Sequence, residues 1–253
     1  MYRRLLAALV ALPILVATTQ AQMLVSPRAG LVHHLDGEVL IENHELDKDG
    51  PPFGWVGEGE VLRTGGDGRC EVVLAPGSVL RVGPASTGRL LSTDITDVRV
   101  ELVRGSAVID WRNGREDRRI LLAHDESRIE LRKHGIYRLD AYADGHTHLR
   151  VFDGQARLAR NGKRVTAREG EVITLGSGAI ERFDTRQRDA LDAWSAQRAE
   201  FIAKMNRLGR NQNQRMADGV RSFFRHLAEG KPKSRPRPVH ACPHASAGGQ
   251  QQR

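Results

Sequence analysis

Most of the usual chemistry-bearing signals are missing from this chain. Two cysteines in 253 residues cannot build a disulfide framework. Cys70 sits in a strand-like run, Cys70-Glu71-Val72-Val73-Leu74, and Cys242 in a polar, Pro-rich tail. A bridge between them is open in an oxidising compartment, but it would have to fix that tail, so two free thiols fit better. Aromatics make up 5% of the residues and fall mostly in the second half, so no platform for stacking sugars or bases stands out. There is no Gly-x-Ser-x-Gly elbow to carry a nucleophile. Gly65-Gly66-Asp67-Gly68 lacks the Lys-Ser/Thr and the helix start of a phosphate loop, and reads as a hairpin turn. No apolar run reaches the roughly 20 residues that a membrane helix needs. The central body also lacks a charge bias. Residues 22–180 carry 22 Lys/Arg against 24 Asp/Glu, whereas 231–253 carry five Lys/Arg and no acid. A basic excess confined to the C-terminus does not argue for nucleic acid.

What is present begins at the N-terminus. Arg3 and Arg4 precede a twelve-residue run, Leu5 to Val16, that is apolar apart from Pro13. Small residues then stand at −3 and −1 if cleavage follows Ala21. That is the layout of a secretory signal peptide over residues 1–21, and it predicts export to the periplasm or beyond. An uncleaved anchor is the competing reading. No cysteine follows the run, so a lipid anchor is not expected.

From about residue 30 to 180 short apolar runs alternate with glycine. Examples are Val39-Leu40-Ile41, Val79-Leu80-Arg81-Val82 and Val98-Arg99-Val100-Glu101-Leu102. Period-two alternation puts one side of each strand on a core and the other in water. Turn signals every 8–12 residues suit a sandwich, barrel or solenoid. Asn161-Gly162 predicts a type I′ hairpin. A loose repeat of strand, glycine turn and strand recurs at Gly37, Gly105 and Gly154, and suggests stacked hairpins. The fold expected is therefore mainly β, solenoid-like or sandwich-like, followed by a helical appendage over 184–229 and a disordered basic tail over 231–253.

The helix is expected to start in a capping box at Asp184 to Gln187 and to end near Gly209, with a second short helix over 220–228. Leu191, Trp194, Phe201 and Met205 share one face. Two readings compete for that face: docking onto the β body, which the marginal stability of isolated helices favours, and recognition of a partner.

Metal chemistry has one weak foothold. His146 and His148 are spaced to share a strand face, but a site needs three or four ligands, and no glutamate follows as it would in a cupin-like barrel. A third ligand would have to come from elsewhere, His124 or His134 being the options. Adjacent His33 and His34 would point opposite ways on a strand, and His240, Cys242 and His244 lie in the tail.

One segment is specific. Gly59-Glu60-Val61-Leu62-Arg63-Thr64-Gly65, an alternating strand, and Pro76-Gly77-Ser78-Val79-Leu80-Arg81-Val82 together resemble the FecR domain. Gly37-Glu38-Val39 and the stretch from Leu102 to Val108 fit its flanks, and Arg168-Glu169-Gly170-Glu171-Val172-Ile173 fits its closing turn. The resemblance covers residues 30–110 well and 120–178 loosely. It implies a β-rich extracytoplasmic domain that, in its best-known members, relays a signal from a receptor to a sigma factor. It implies no catalytic residue and no cofactor. Neither a cytoplasmic anti-sigma segment nor an internal membrane span is evident here, so sigma-factor control is not carried over. The expectation is a non-enzymatic binding or scaffold module of the envelope, with a protein partner and a role in interaction or signal sensing. Two alternatives stand beside it: a metal-binding protein or metal-dependent enzyme using His146 and His148, and binding of an anionic envelope polymer or lipid through the basic tail.

Overall fold

The computed structural model describes residues 28–49, 53–112, 118–142 and 144–228. The expected leader, the basic tail and Cys242 lie outside these residues. The chain divides into two units, residues 1–192 and residues 193–253. The described part of the first unit is built of strands. They are β1 (Leu31–Asp36), β2 (Val39–Ile41), β3 (His44–Glu45), β4 (Gly54–Trp55), β5 (Val61–Thr64) and β6 (Arg69–Ala75). There follow β7 (Ser78–Val82), β8 (Thr87–Ser92), β9 (Asp97–Trp111), β10 (Arg119–His124), β11 (Ser127–Leu131) and β12 (Gly135–Ala141). Last come β13 (Thr147–Asp153), β14 (Gln155–Arg160), β15 (Lys163–Arg168), β16 (Glu171–Thr174) and β17 (Ile180–Arg182).

Pairing sorts the strands into two layers. Sheet I has the order β4-β1-β6-β7-β9-β12-β13-β16-β17. Sheet II has the order β3-β2-β5-β8-β9-β10-β11-β14-β15. Every pair is antiparallel except β9 with β10. The inner faces meet in one apolar cluster. Val72, Leu80, Val82, Ile109, Leu139 and Leu149 come from sheet I, and Val98, Val100, Leu102, Ile120, Leu122 and Ile129 from sheet II. The fold is mainly β, as the alternation predicts, and its architecture is a sandwich.

Strand β9 belongs to both layers. Its first half, Asp97 to Arg104, pairs with β8 and β10 in sheet II, and its second half, from Gly105, pairs with β7 and β12 in sheet I. Gly105 makes the crossing with φ +90°. The other two copies of the loose repeat behave alike: Gly37 (φ +66°) carries the chain from β1 in sheet I to β2 in sheet II, and Gly154 (φ +98°) from β13 in sheet I to β14 in sheet II. The repeat is therefore a sheet-switching corner and not a hairpin. Gly65 to Gly68 is likewise a corner, from β5 in sheet II to β6 in sheet I. A side chain at Gly68 would put its Cβ 2.0 Å from the Glu38 carbonyl oxygen. Bends of this kind are how strands change layers in a sandwich. True hairpins occur where turn chemistry demands them. Asn161 (φ +47°) and Gly162 (φ +75°) close β14 onto β15 as the type I′ turn expected.

The corner at Gly105 gives a first test. A Cβ there would lie 2.2 Å from Ser86 Oγ and 2.5 Å from Ser86 Cα, in backbone that L-residues rarely adopt. Gly105→Ala is expected to cost about 1–3 kcal/mol for the left-handed conformation, with the backbone clash adding to it. Urea unfolding measures the loss, and an unchanged midpoint would show that the crossing tolerates a side chain.

The helix α1 spans Ala190–Ala228. It neither starts at Asp184 nor stops at Gly209. Asp184 instead accepts the Arg186 N–H at 3.0 Å in a local turn. Past Gly209 the residues 210–217 contain no proline and no β-branched side chain, and a single exposed glycine costs a helix only about 1 kcal/mol relative to alanine. The expected short helix over 220–228 is the end of this one. Among the described residues no helix is long and apolar enough to cross a membrane.

Candidate functional site

The outward face of sheet I is the least expected part of the fold. Register sets Glu71 opposite Arg81 and Arg138 opposite Arg150, with Val108 between the two pairs. Glu71 and Asp140 are fully buried, and Arg81, Asp110 and Arg138 nearly so. Arg81 Nε donates to Glu71 Oε2 at 2.5 Å, and Arg81 also donates to Asp110 Oδ2 at 3.1 Å. His33 Nε2 lies 2.8 Å from Glu71 Oε1, and Arg112 Nε donates to Asp110 Oδ1 at 2.7 Å. Buried charges persist only when paired and hydrogen-bonded, and each of these is.

A second cluster centres on Asp140. It accepts from Ser106 Oγ at 2.6 Å, from Arg138 Nε at 2.9 Å and from Arg150. The other side of Arg138 reaches Asp189 at 2.6 Å and Asp192 at 3.0 Å. Those two aspartates are also the helix cap. Asp189 accepts the Asp192 N–H at 3.0 Å and Asp192 accepts the Asp189 N–H at 3.3 Å, a reciprocal box at N-cap and N3. Burial works against the charge on Arg138, but Asp140, Asp189 and Asp192 more than reverse it, and its pKa lies above the ordinary value. Burial also pushes Asp189 up, and the Asp192 N–H and Arg138 outweigh that, so its carboxyl sits below the usual range. The helix start is thus held by an arginine from β12. Leu191, 7% exposed, adds an apolar contact, its Cδ2 lying 2.9 Å from where a Cβ on Gly83 would be.

The expected helix face divides along its length. Leu191 and Trp194 are buried, whereas Phe201, Met205, Leu208 and Met216 are between 51% and 59% exposed. Arg198 lies 5.2 Å over the Phe201 ring. Between Ala193 and Arg221 the helix carries six Lys/Arg and two acids. It combines an exposed apolar stripe with a basic polar face.

The histidines do not converge. His146 and His148 stack at 6.4 Å between ring centroids, and His148 Nδ1 sits 3.1 Å from Thr174 Oγ1. His124 is engaged by Leu102 O at 2.7 Å and Thr147 Oγ1 at 2.9 Å, and His134 meets Trp111 edge-on. Neither supplies the third ligand. Among the described residues no group of three or more His, Cys, Asp or Glu could hold a metal. Cys70 is free and fully buried, and burial first, then Glu71 beside it, pushes its thiol up to about 12.

Neither charge cluster was picked out by sequence reasoning, which placed the second face of each strand in water. A signal existed. In Val79-Leu80-Arg81-Val82 a single charge stands among apolar residues on both faces, and in Ile136-Tyr137-Arg138-Leu139-Asp140-Ala141 opposite charges two residues apart share the face that begins with Ile136.

Comparison with known proteins adds one family match. Residues 60–157 match the model of the family described as FecR protein. That match bears out the resemblance read from the Gly59 to Val82 motifs, which form β5, the strand β6 and the turn into β7. No curated protein matches the chain. Two crystal structures of a protein from Parabacteroides distasonis, provisionally named an anti-sigma factor, align with 14% and 13% identity and a TM-score of 0.41 each. Each alignment covers 50% of this chain and 61% of the other.

Proposed function

We propose, with the FecR domain of residues 60–157 as premise, that this chain is a non-enzymatic binding module of a bacterial envelope, regulatory or signal-sensing, that works through a protein partner. The leader-like layout of residues 1–21 supports export. The observation that carries the partner reading is the exposed side of α1: Phe201, Met205, Leu208 and Met216 stand at least half exposed on one face of a helix with a net basic complement. An amphipathic helix of this kind lays its apolar side into a groove, and its basic flanks select an acidic rim. Its charge disfavours a second copy of itself.

The test uses the mature chain and the double variant Phe201→Ser/Met205→Ser against envelope extract. Both positions are exposed, so the variant should melt as the parent does. Truncating interface anchors typically costs about 2 kcal/mol or more, so capture of a partner should weaken by roughly 30-fold or more. Equal recovery of the same proteins by parent and variant would refute the helix as the recognition surface.

A further inference from the structure

Trp55 stands apart from the other two tryptophans. Trp111 is 5% exposed and Trp194 7%, whereas Trp55 is 49% exposed. It is nonetheless fixed. Its indole Nε1 donates to Ala29 O at 3.1 Å, and its strand β4 pairs Trp55 with Leu31 on the edge of sheet I. Gly30, at φ +116°, leaves room for the ring, since a Cβ there would lie 3.1 Å from Nε1. A large apolar ring is thus held in one orientation with half of its surface left open to solvent. It is a ready contact surface whose ordering cost is already met by the fold.

The ring forms one wall of a cleft of about 740 Å³ whose other walls carry Gly57, Ile95 and a set of polar side chains. Arg28, Glu58, Thr93, Asp94 and Thr96 line it. Asp94 Oδ1 accepts the Thr96 N–H and hydroxyl, both at 2.8 Å, and these bonds, the backbone one first, hold its carboxyl below the usual range. Asp94 therefore keeps an ionised, acceptor-only oxygen, Oδ2, facing solvent. Glu58 Oε2 takes the Thr93 N–H at 3.4 Å and leaves its second oxygen. Arg28 makes no ion pair among the described residues. The cleft thus offers one aromatic face, two carboxylate acceptors and one guanidinium donor.

We infer that this cleft binds a neutral saccharide, with the apolar face of a pyranose ring on Trp55 and its hydroxyls donating to Asp94 and Glu58. The ligand class follows from the groups. A sugar ring has one face of C–H bonds, which suits the electron-rich face of an indole, and hydroxyl pairs that donate strongly to carboxylates. Two carboxylates disfavour an acidic sugar, and the guanidinium of Arg28 disfavours a bare cation. Arg28 can instead donate to a ring or amide oxygen. This goes beyond the partner reading of α1 and does not rest on it: an exported module with such a site would attach to a glycan of its envelope while its helix remains free for a protein.

Intrinsic fluorescence tests this directly, because Trp55 is the one exposed tryptophan of the three. Tetramers of glucose and of N-acetylglucosamine are titrated to 10 mM into the full chain. The expected result is a saturable shift in emission with at least one of them, at least tenfold weaker in Glu58→Gln and in Asp94→Asn and absent in Trp55→Ala. Both carboxamide variants keep an acceptor for the local N–H and alter exposed positions, so they remain folded even if Trp55→Ala does not. No shift with either sugar would overturn the inference. So would an equal affinity of the carboxamide variants, or tighter binding of tetramethylammonium than of either sugar, which would make this a cation site.

Discussion

Replacing Arg138 by Met is expected to destabilise the protein by about 3–5 kcal/mol, the typical cost of removing one partner from a buried ion cluster. The guanidinium is 7% exposed and serves three carboxylates. Asp140 has no exposure and would keep only Ser106 and Arg150, the latter 31% exposed. Asp189 and Asp192 would keep their mutual capping bonds but face each other without a cation. The methionine fills the volume, so the loss reports charge and not a cavity. Arg138→Lys should recover only part of it, because an ammonium lacks the planar fork that reaches carboxylates on two sides. The readouts are the urea midpoint and amide exchange at the start of α1, where protection should fall first. A variant within 1 kcal/mol of the parent would mean that the three aspartates are satisfied without Arg138.

The same cluster predicts an acid response. The Asp189 carboxyl is held below its ordinary value of 3.8 in the folded protein. A depressed carboxylate contributes stability that is present above its unfolded pKa and is lost as the pH falls through the folded one. The parent should therefore lose stability as the pH drops below about 4, the ordinary value for an aspartate. Arg138→Met should lose less over that interval, since part of the depression comes from Arg138. Asp189 is partly exposed, and solvent screening keeps this contribution small beside the loss at neutral pH.

Local chemistry was the legible part of this fold. Asn161-Gly162 allows few alternatives to a type I′ turn, and the structure has it. Glycine at 37, 105 and 154 was visible as a repeated break, but a break does not say whether the next strand lies beside the last or across the core. That choice depends on what the flanking residues bury, and the alternation is the same in both cases. The helix start was misplaced by five residues for a related reason. Asp184 with Gln187 and Asp189 with Asp192 both satisfy the capping pattern, and what distinguishes them is Arg138, more than forty residues earlier. Leu191, Trp194, Phe201 and Met205 all fall within α1, but spacing cannot show where along a helix burial ends. Trp55 was passed over because Phe53 and Trp55, in a Gly- and Pro-rich stretch, have no longer periodic context, and the interest of Trp55 comes only from the carboxylates that folding sets around it.

The second large effect is expected at Arg81. Its side chain is 1% exposed, with Glu71 at 0% and Asp110 at 5%. Arg81→Met should again cost about 3–5 kcal/mol, by leaving two carboxylates in the interior of the fold. Arg112, on Asp110, is 57% exposed and His33, on Glu71, is 27% exposed, so neither is a buried cation equivalent to it. A stronger statement comes from removing the charges together. If the penalty is that of uncompensated burial, then Glu71→Leu added to Arg81→Met should restore stability relative to the single variant, since the pair sits side by side on β6 and β7 in a register that two apolar residues can fill. A double variant less stable than Arg81→Met would mean that Glu71 stabilises the fold through contacts beyond the arginine. A double variant more stable than the parent would mean that the buried ions cost the fold stability.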